Sequence, residues 1–322
     1  MSCQKSKEYH KFSGETMGTY YAVTYEGYDL SKVKVEVDAL LVSFNNSLST
    51  YIPTSLISRL NASDTGIYLP KEDIYFKPVL EKSNFLRNQT NGKLNVAIMP
   101  LLRYWRDNTT QIDTSISQEI RKLVESSKFE IRETNDGMFI SKSDERSELD
   151  FSSLAKGYGI DVVGDYLRDM GVENFLVDIG GEARAQGVSS TNTPWRLAIN
   201  KPIEGSKLTE MELVVALENK SIATSGSYRQ FYKKDGKKIA HIMDPITGYS
   251  TTSDLLSASV IADDCMTADG VATALMVSSL AEAKAFLAEH KYPACLIYDK
   301  DGDEKLEKYY ANGFDELVLH SK

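Results

Sequence analysis

The chain has 322 residues, 42% of them apolar and 26% charged, which is enough to bury a full core as one large domain or two smaller ones. A net charge of −9 argues against a nucleic-acid partner, which would leave a basic footprint. No run of about 18 apolar residues occurs, which excludes a membrane-spanning helix. The cysteines Cys3, Cys265 and Cys295 form no CxxC and no metal-ligand spacing with His, so a structural zinc site is not expected.

In chain order, Cys3 and the polar run after it resemble the start of a mature bacterial lipoprotein, with residues 1–11 as a tether. Residues 12–25 contain GETMGTYYAVTY, a Gly-punctuated turn entering an alternating strand. Residues 31–49 carry Val33, Val37, Leu40, Leu41, Phe44 and Leu48, the stripe of an amphipathic helix. A turn and a short helix follow in STYIPTSLISRLN. Residues 71–90 are helical in pattern and end at Asn91-Gly92. GKLNVAIMPLLRYW reads as an apolar loop entering a short helix, and residues 116–127 as another helix. FEIRE and MFISK are strands joined through Asn135-Asp136-Gly137, a hairpin signal.

In ELDFSSLAKGYGIDVVGDYLRDMG a strand ends, small polar residues turn and a helix starts, with Ile160, Val163, Leu167 and Met170 expected on its buried face. NFLVDIGGEARAQG, WRLAINK, ELVVALEN and LLSASVIA are strands. Helices are expected at 263–278 and 281–290, and a final Asp-Gly hairpin closes the chain. There is no internal repeat or low-complexity tract. Hairpin-type strands dominate, so the fold class is α+β, with mixed, largely antiparallel sheets and inserted helices.

Chemistry-bearing residues gather in three places. In residues 224–248 a Thr-Ser-Gly turn, a basic hairpin at 233–238, the isolated His241 and the irregular Asp244-Pro245-Ile246-Thr247-Gly248 turn lie close in sequence. His241 either satisfies a neighbouring backbone group or titrates usefully. SSLAKGYGID, at 152–161, delivers small residues and Lys156 to a helix start, where an anion or a simple cap is equally well served. Asp269 and Thr273, four apart, share a helix face and offer oxygen ligands suited to a hard cation, or else a dipole partner and a packed hydroxyl. Gly turns at 16–19 and 179–182 let backbone approach a ligand.

Taken in order, GETMGTYY, STYIPTSLISRLN, GKLNVAIMPLLRYW, DFSSLAKGYGID, FLVDIGGEARAQG, SIATSGSYRQFY, HIMDPITG and TADGVATALM resemble the ApbE family of FAD:protein FMN transferases. The resemblance covers about residues 12–318 and implies a T-fold-like architecture with FAD, the substrate, in a central cleft. It implies Mg²⁺-dependent transfer of FMN from FAD to a Thr or Ser hydroxyl of a target protein, with Mn²⁺ as an alternative ion and AMP leaving. The implied targets are subunits of membrane redox complexes.

On the same footing, Met17, Tyr51, Lys93, Leu94, Asn95, Ser152, Tyr158 and Met243 match FAD contacts, and Ala155, Asp269 and Thr273 match the metal site. Members of the family commonly carry Asp where Asn95 stands, and some carry a second Asp where Ala272 stands. His241 is the expected general base, with Asp244 orienting it or the cation. Hydrolysis of FAD to FMN and AMP, and flavin binding without turnover, are the competing expectations. The expected location is the periplasmic face of the bacterial cytoplasmic membrane, held by a lipid on Cys3 alone.

Overall fold

The computed structural model describes residues 8–27, 30–108, 114–135, 137–203, 210–226, 231–234, 237–240, 242–251, 253–300 and 305–321. Strands β1 (Tyr9–Thr16) and β2 (Thr19–Glu26) precede helices α1 (Leu30–Leu48) and α2 (Leu56–Ala62). Strand β3 (Gly66–Leu69) and helix α3 (Phe76–Gln89) follow. A 3₁₀ turn (Val96–Ile98) then leads into α4 (Met99–Asp107), and α5 is Thr114–Ser126. Next come β4 (Phe129–Thr134), β5 (Gly137–Lys142), α6 (Ala155–Asp169), β6 (Phe175–Ile179), β7 (Glu182–Gln186), β8 (Trp195–Asn200) and β9 (Met211–Leu217). β10 (Lys220–Gly226), β11 (Phe231–Lys234), β12 (Lys237–Ala240) and β13 (Leu255–Ala262) precede α7 (Cys265–Val277) and α8 (Leu280–His290). The chain closes on β14 (Ala294–Tyr298), β15 (Glu307–Ala311), a second 3₁₀ turn (Phe314–Leu317) and β16 (Val318–Ser321).

Among the described residues the main sheet has eight strands in the order β1-β2-β6-β7-β10-β13-β14-β15. Each neighbouring pair is antiparallel. Smaller sheets are β16-β9-β8, β3-β5-β4 and β11-β12. The α+β expectation, with largely antiparallel sheets and inserted helices, therefore holds.

The local chemistry explains the main elements. β2 alternates, burying Tyr21, Val23 and Tyr25 on one face. Met17 and Gly18, at φ 51° and 72°, form the two-residue loop that joins it to β1, and both positions need the left-handed region. In α1, Val33, Val37, Leu41, Phe44 and Leu48 are all buried, as the stripe predicts. Helix α7 shows no stripe because it is buried on every side: each of its residues is buried except Thr273. It packs on β10 and β13 of the main sheet beside α6, which packs on β6 and β7, and it also touches α3.

Several expectations change. Thr224, Ser225 and Gly226 are not a turn. They end β10 and pair with Ser259, Ala258 and Ser257 of β13, because long-range pairing satisfies their backbone. Residues 148–151 form no strand. Met170 is 45% exposed, since α6 ends at Asp169 and Met170 lies just beyond its packed face. β3, the second 3₁₀ turn and β16 are short elements that no local periodicity announces. β1 begins at Tyr9, so residues 9–11 of the expected tether pair as strand, while residues 1–7 lie outside the described residues.

Candidate active site

The site is built where α6 and α7 start side by side. Phe151 O accepts the Leu154 and Ala155 N–H groups, and Asp150 Oδ1 accepts the Ser152 N–H at 2.6 Å. α6 has no side-chain cap of its own. Instead Asp269 Oδ2, from within α7, accepts the Gly157 N–H at 3.1 Å. The exchange is reciprocal: Asp161 of α6 accepts the N–H groups of Cys265 at 2.9 Å and Met266 at 2.8 Å, at the start of α7. Each helix thereby satisfies orphan donors of the other and sets a carboxylate against its dipole. Gly157 makes the approach possible, because a Cβ there would lie 2.3 Å from the Cys265 carbonyl oxygen.

Glu182 and Lys156 complete the charge cluster. Gly180 and Gly181, at φ 66° and 99°, turn β6 into β7 so that Glu182 opens β7 facing α6. Lys156 Nζ donates to Glu182 Oε1 and sits 3.8 Å from Asp269 Oδ1. The two carboxylate side chains are 5% and 2% exposed, the lysine 33%. Burial pushes Glu182 up, with the Asp269 charge adding to it, and burial likewise raises Asp269. Burial opposes the charge on Lys156, but Asp269 and Glu182 together outweigh it and hold the ammonium protonated. Among the described residues Glu182 Oε2 is buried with no N–H or hydroxyl donor, and the Glu182 side chain meets the Asp269 carboxylate.

Thr273, one turn beyond Asp269, is the residue of α7 that reaches the open side, and its hydroxyl meets Ser225 Oγ of β10 at 3.3 Å. Ala155 and Lys156 open α6 at the same place. Of the expected metal set, Ala155 opens α6 two residues before Gly157, whose N–H Asp269 accepts, and Thr273 lies one turn beyond Asp269 on α7. Two carboxylates, a hydroxyl and nearby carbonyls form an oxygen-only donor set, and one carboxylate oxygen lacks a donor. These residues fit a hard divalent cation whose remaining ligands come from substrate phosphate or water. Among the described residues no group of three or more His, Cys, Asp or Glu gathers that could hold a metal ion, so a cation here would depend on hydroxyl, carbonyl, phosphate or water oxygens for most of its ligands.

The expected flavin contacts fall into two groups. Met17 and Leu94 pack onto the helix pair: a Cβ at Gly159 would lie 2.6 Å from Met17 Cε, and one at Gly270 would lie 3.4 Å from Leu94 Cδ2. Ser152 is exposed just ahead of α6. Tyr51 is 93% exposed. Tyr158 instead points inward, its ring against Phe44 at 5.3 Å. Asn95 spends its side chain on backbone, accepting from Ala97 N–H at 3.0 Å and donating to Val124 O at 3.1 Å. Met243 is buried with Leu101 and Val124.

The Asp244–Gly248 turn is clamped from the helical side. Asp244 Oδ1 accepts the Ile246 N–H at 2.8 Å, and Oδ2 faces Lys93 Nζ at 3.6 Å. Trp105 Nε1 donates to Gly248 O at 2.9 Å and Arg121 to Ile246 O at 3.1 Å. The carboxylate expected to orient a base or a cation is thus occupied in holding its own turn. His241 lies outside the described residues, as do Ser227 and Tyr228.

Sequence reasoning missed Glu182 as a partner of Lys156, and Trp105 and Arg121 as clamps. The Gly-Gly-Glu run was visible, but nothing local says which helix the glutamate will face.

The ApbE family model matches residues 17–297. A FAD:protein FMN transferase of Vibrio cholerae is 32% identical over 97% of this chain and 93% of its own length. The one from Haemophilus influenzae is 35% identical over 90% and 86%. Among solved structures, the flavin transferase ApbE from Vibrio cholerae superposes with a TM-score of 0.81 at 30% identity, covering 97% of this chain and 99% of that one. Pseudomonas stutzeri flavinyl transferase ApbE in its apo form gives 0.83 at 28%, covering 98% of both. With the match spanning strands β2 through β14 and both helices that build the charge cluster, the chain belongs to the ApbE family.

Proposed function

We propose that this chain transfers FMN from FAD to a hydroxyl of a Thr or Ser in a target protein, releasing AMP. The observation that carries this reading is the buried Asp269 set against the α6 N-terminus, with Lys156 and Thr273 open beside it. That arrangement suits a pyrophosphate, whose charge needs cationic and hydrogen-bonding partners in a partly dry pocket. A divalent cation, Mg²⁺ by preference, bound by Asp269, Thr273 and the Ala155 carbonyl would supply positive charge for the pyrophosphate oxygens.

The chain's own residues then divide the work. Lys156 supplies a mobile ammonium for phosphate oxygens, and the hydroxyls of Thr273 and Ser225 supply donors at the rim. Met17, on the β1–β2 loop, lies over Gly159 and is only partly buried, so it is the hydrophobic side chain nearest the helix pair that a flavin could meet, while Leu94 supports the site from the core beside Leu86, Leu154 and Gly270. The target hydroxyl oxygen attacks the FMN-side phosphorus. A phosphorus–oxygen bond forms there, the bond to the AMP phosphate breaks, and His241 accepts the hydroxyl proton. The target would be a flavin-bearing subunit of a membrane redox complex, met where a lipid on Cys3 tethers this chain to the outer face of the cytoplasmic membrane.

Incubating the chain with FAD, Mg²⁺ and a candidate target domain tests the reading. The expected result is a target mass increased by FMN, with AMP released, and loss of both in Asp269→Ala. Free FMN with an unmodified target would make the enzyme a FAD pyrophosphatase instead. Intact FAD would leave only a flavin-binding protein.

A further inference from the structure

Glu182 and Lys156 have no assigned part in cation binding, yet their geometry is that of an occupied cation pocket. Two carboxylates, Asp269 and Glu182, lie almost wholly buried at the meeting of α7 and β7. A pair of buried negative charges would be strongly unfavourable without a cation. The structure supplies one from the chain itself. Lys156 Nζ reaches in from the first turn of α6, donates to Glu182 Oε1 and stands 3.8 Å from Asp269 Oδ1.

The compensation is incomplete. Asp269 Oδ1 is beyond hydrogen-bond distance of the ammonium, and among the described residues no N–H or hydroxyl donor reaches Glu182 Oε2, the Glu182 side chain meeting the Asp269 carboxylate instead. Lysine is also the exposed member of the three, on a flexible four-carbon stem that can withdraw towards the open side. The aspartate, by contrast, is locked by the Gly157 N–H.

We propose that Glu182 belongs to the cation pocket, and that the Lys156 ammonium occupies this pocket until a divalent cation displaces it. This rests on the transferase reading for the identity of the cation site, but the exchange itself is independent of turnover. Lys156, once displaced, turns towards the same opening as Thr273, where pyrophosphate oxygens would receive it. The pocket therefore keeps a low affinity for the free metal ion and a higher one for the ion arriving with a dinucleotide, because only the second case offers the displaced ammonium a new anionic partner.

The test is Mg²⁺ binding by isothermal titration calorimetry and by thermal melting, on the full chain without and with FAD. Lys156→Met is expected to bind Mg²⁺ in the absence of FAD at least about tenfold more tightly than the native chain, and to gain more melting temperature from the ion. Adding Glu182→Gln to Lys156→Met is expected to abolish that gain. Equal affinities for Lys156→Met and the native chain would overturn the exchange, and an unchanged gain in the double variant would overturn the place of Glu182. Should Lys156→Met fail to fold, Glu182→Gln alone reads the same claim with FAD saturating: Mg²⁺ affinity falls at least about tenfold, and an unchanged affinity overturns it. A failed transferase reading shows separately, as a native chain that modifies no target although its cation titrations behave as stated.

Discussion

Asp269 of α7 accepts the Gly157 N–H of α6 at 3.1 Å, and in doing so serves one helix as a cap while remaining the anionic centre of the site. The same carboxylate cannot be moved without disturbing the approach of the two helices. Asp161 returns the contact to the start of α7, so the geometry of the centre is held from both sides.

Replacing Gly157 with Ala tests how tightly that approach is set. The new Cβ would meet backbone, the Cys265 carbonyl, which cannot rotate away as a side chain would. Gly157→Ala is expected to cost about 1–3 kcal/mol in denaturant unfolding despite the better helix propensity of Ala. A neutral or stabilised variant would show that the helices can separate freely.

Asp269→Asn separates charge from shape. The amide oxygen can still accept from Gly157, and Glu182 still holds Lys156. The melting temperature is expected to stay within a few degrees, while flavin transfer falls by about two orders of magnitude or more because the anionic ligand is gone. A large drop in melting temperature with transfer retained would contradict this.

The Asp244–Gly248 turn depends on Trp105. Removing its Nε1–H in Trp105→Phe leaves Gly248 O without that donor and is expected to weaken the turn by about 1 kcal/mol. Hydrogen exchange of amides in residues 244–249 should accelerate by roughly fivefold, with amides of α7 unaffected.

Asp178, on β6 ahead of the Gly180-Gly181 turn, sets a pH dependence. Burial pushes it up to about 6 from the ordinary 3.8, against the Gly181 N–H that favours the charged form. The folded chain therefore binds this proton more tightly than the unfolded one. Its stabilising contribution is full below about pH 4 and is lost as pH rises to about 6. Asp178→Asn is expected to be near neutral at pH 4 and to stabilise by about 2 kcal/mol at pH 7. Unfolding titrations of both proteins across that range measure the difference.

Much of the fold was legible because it rests on local periodicity. The α1 stripe, the alternation in β2 and the Asn-Asp-Gly hairpin each follow from neighbours a few residues apart. Asp269 and Thr273 were legible for the same reason, since four residues on a helix share one face. Where local polarity and long-range pairing disagreed, the pairing won: Thr224-Ser225-Gly226 resembles a turn, but β13 takes it into the sheet.

What the sequence by itself determined was the set of elements, the order of the motifs and the oxygen-rich character of the site. Only the tertiary structure decided which charges meet. Lys156 finds Glu182 26 residues away, and Gly157 finds Asp269 at a separation of 112, through two glycines that let backbone and helices close in. No spacing rule reaches that far, because such contacts are selected by packing of the whole sheet against α6 and α7 and not by neighbours along the chain.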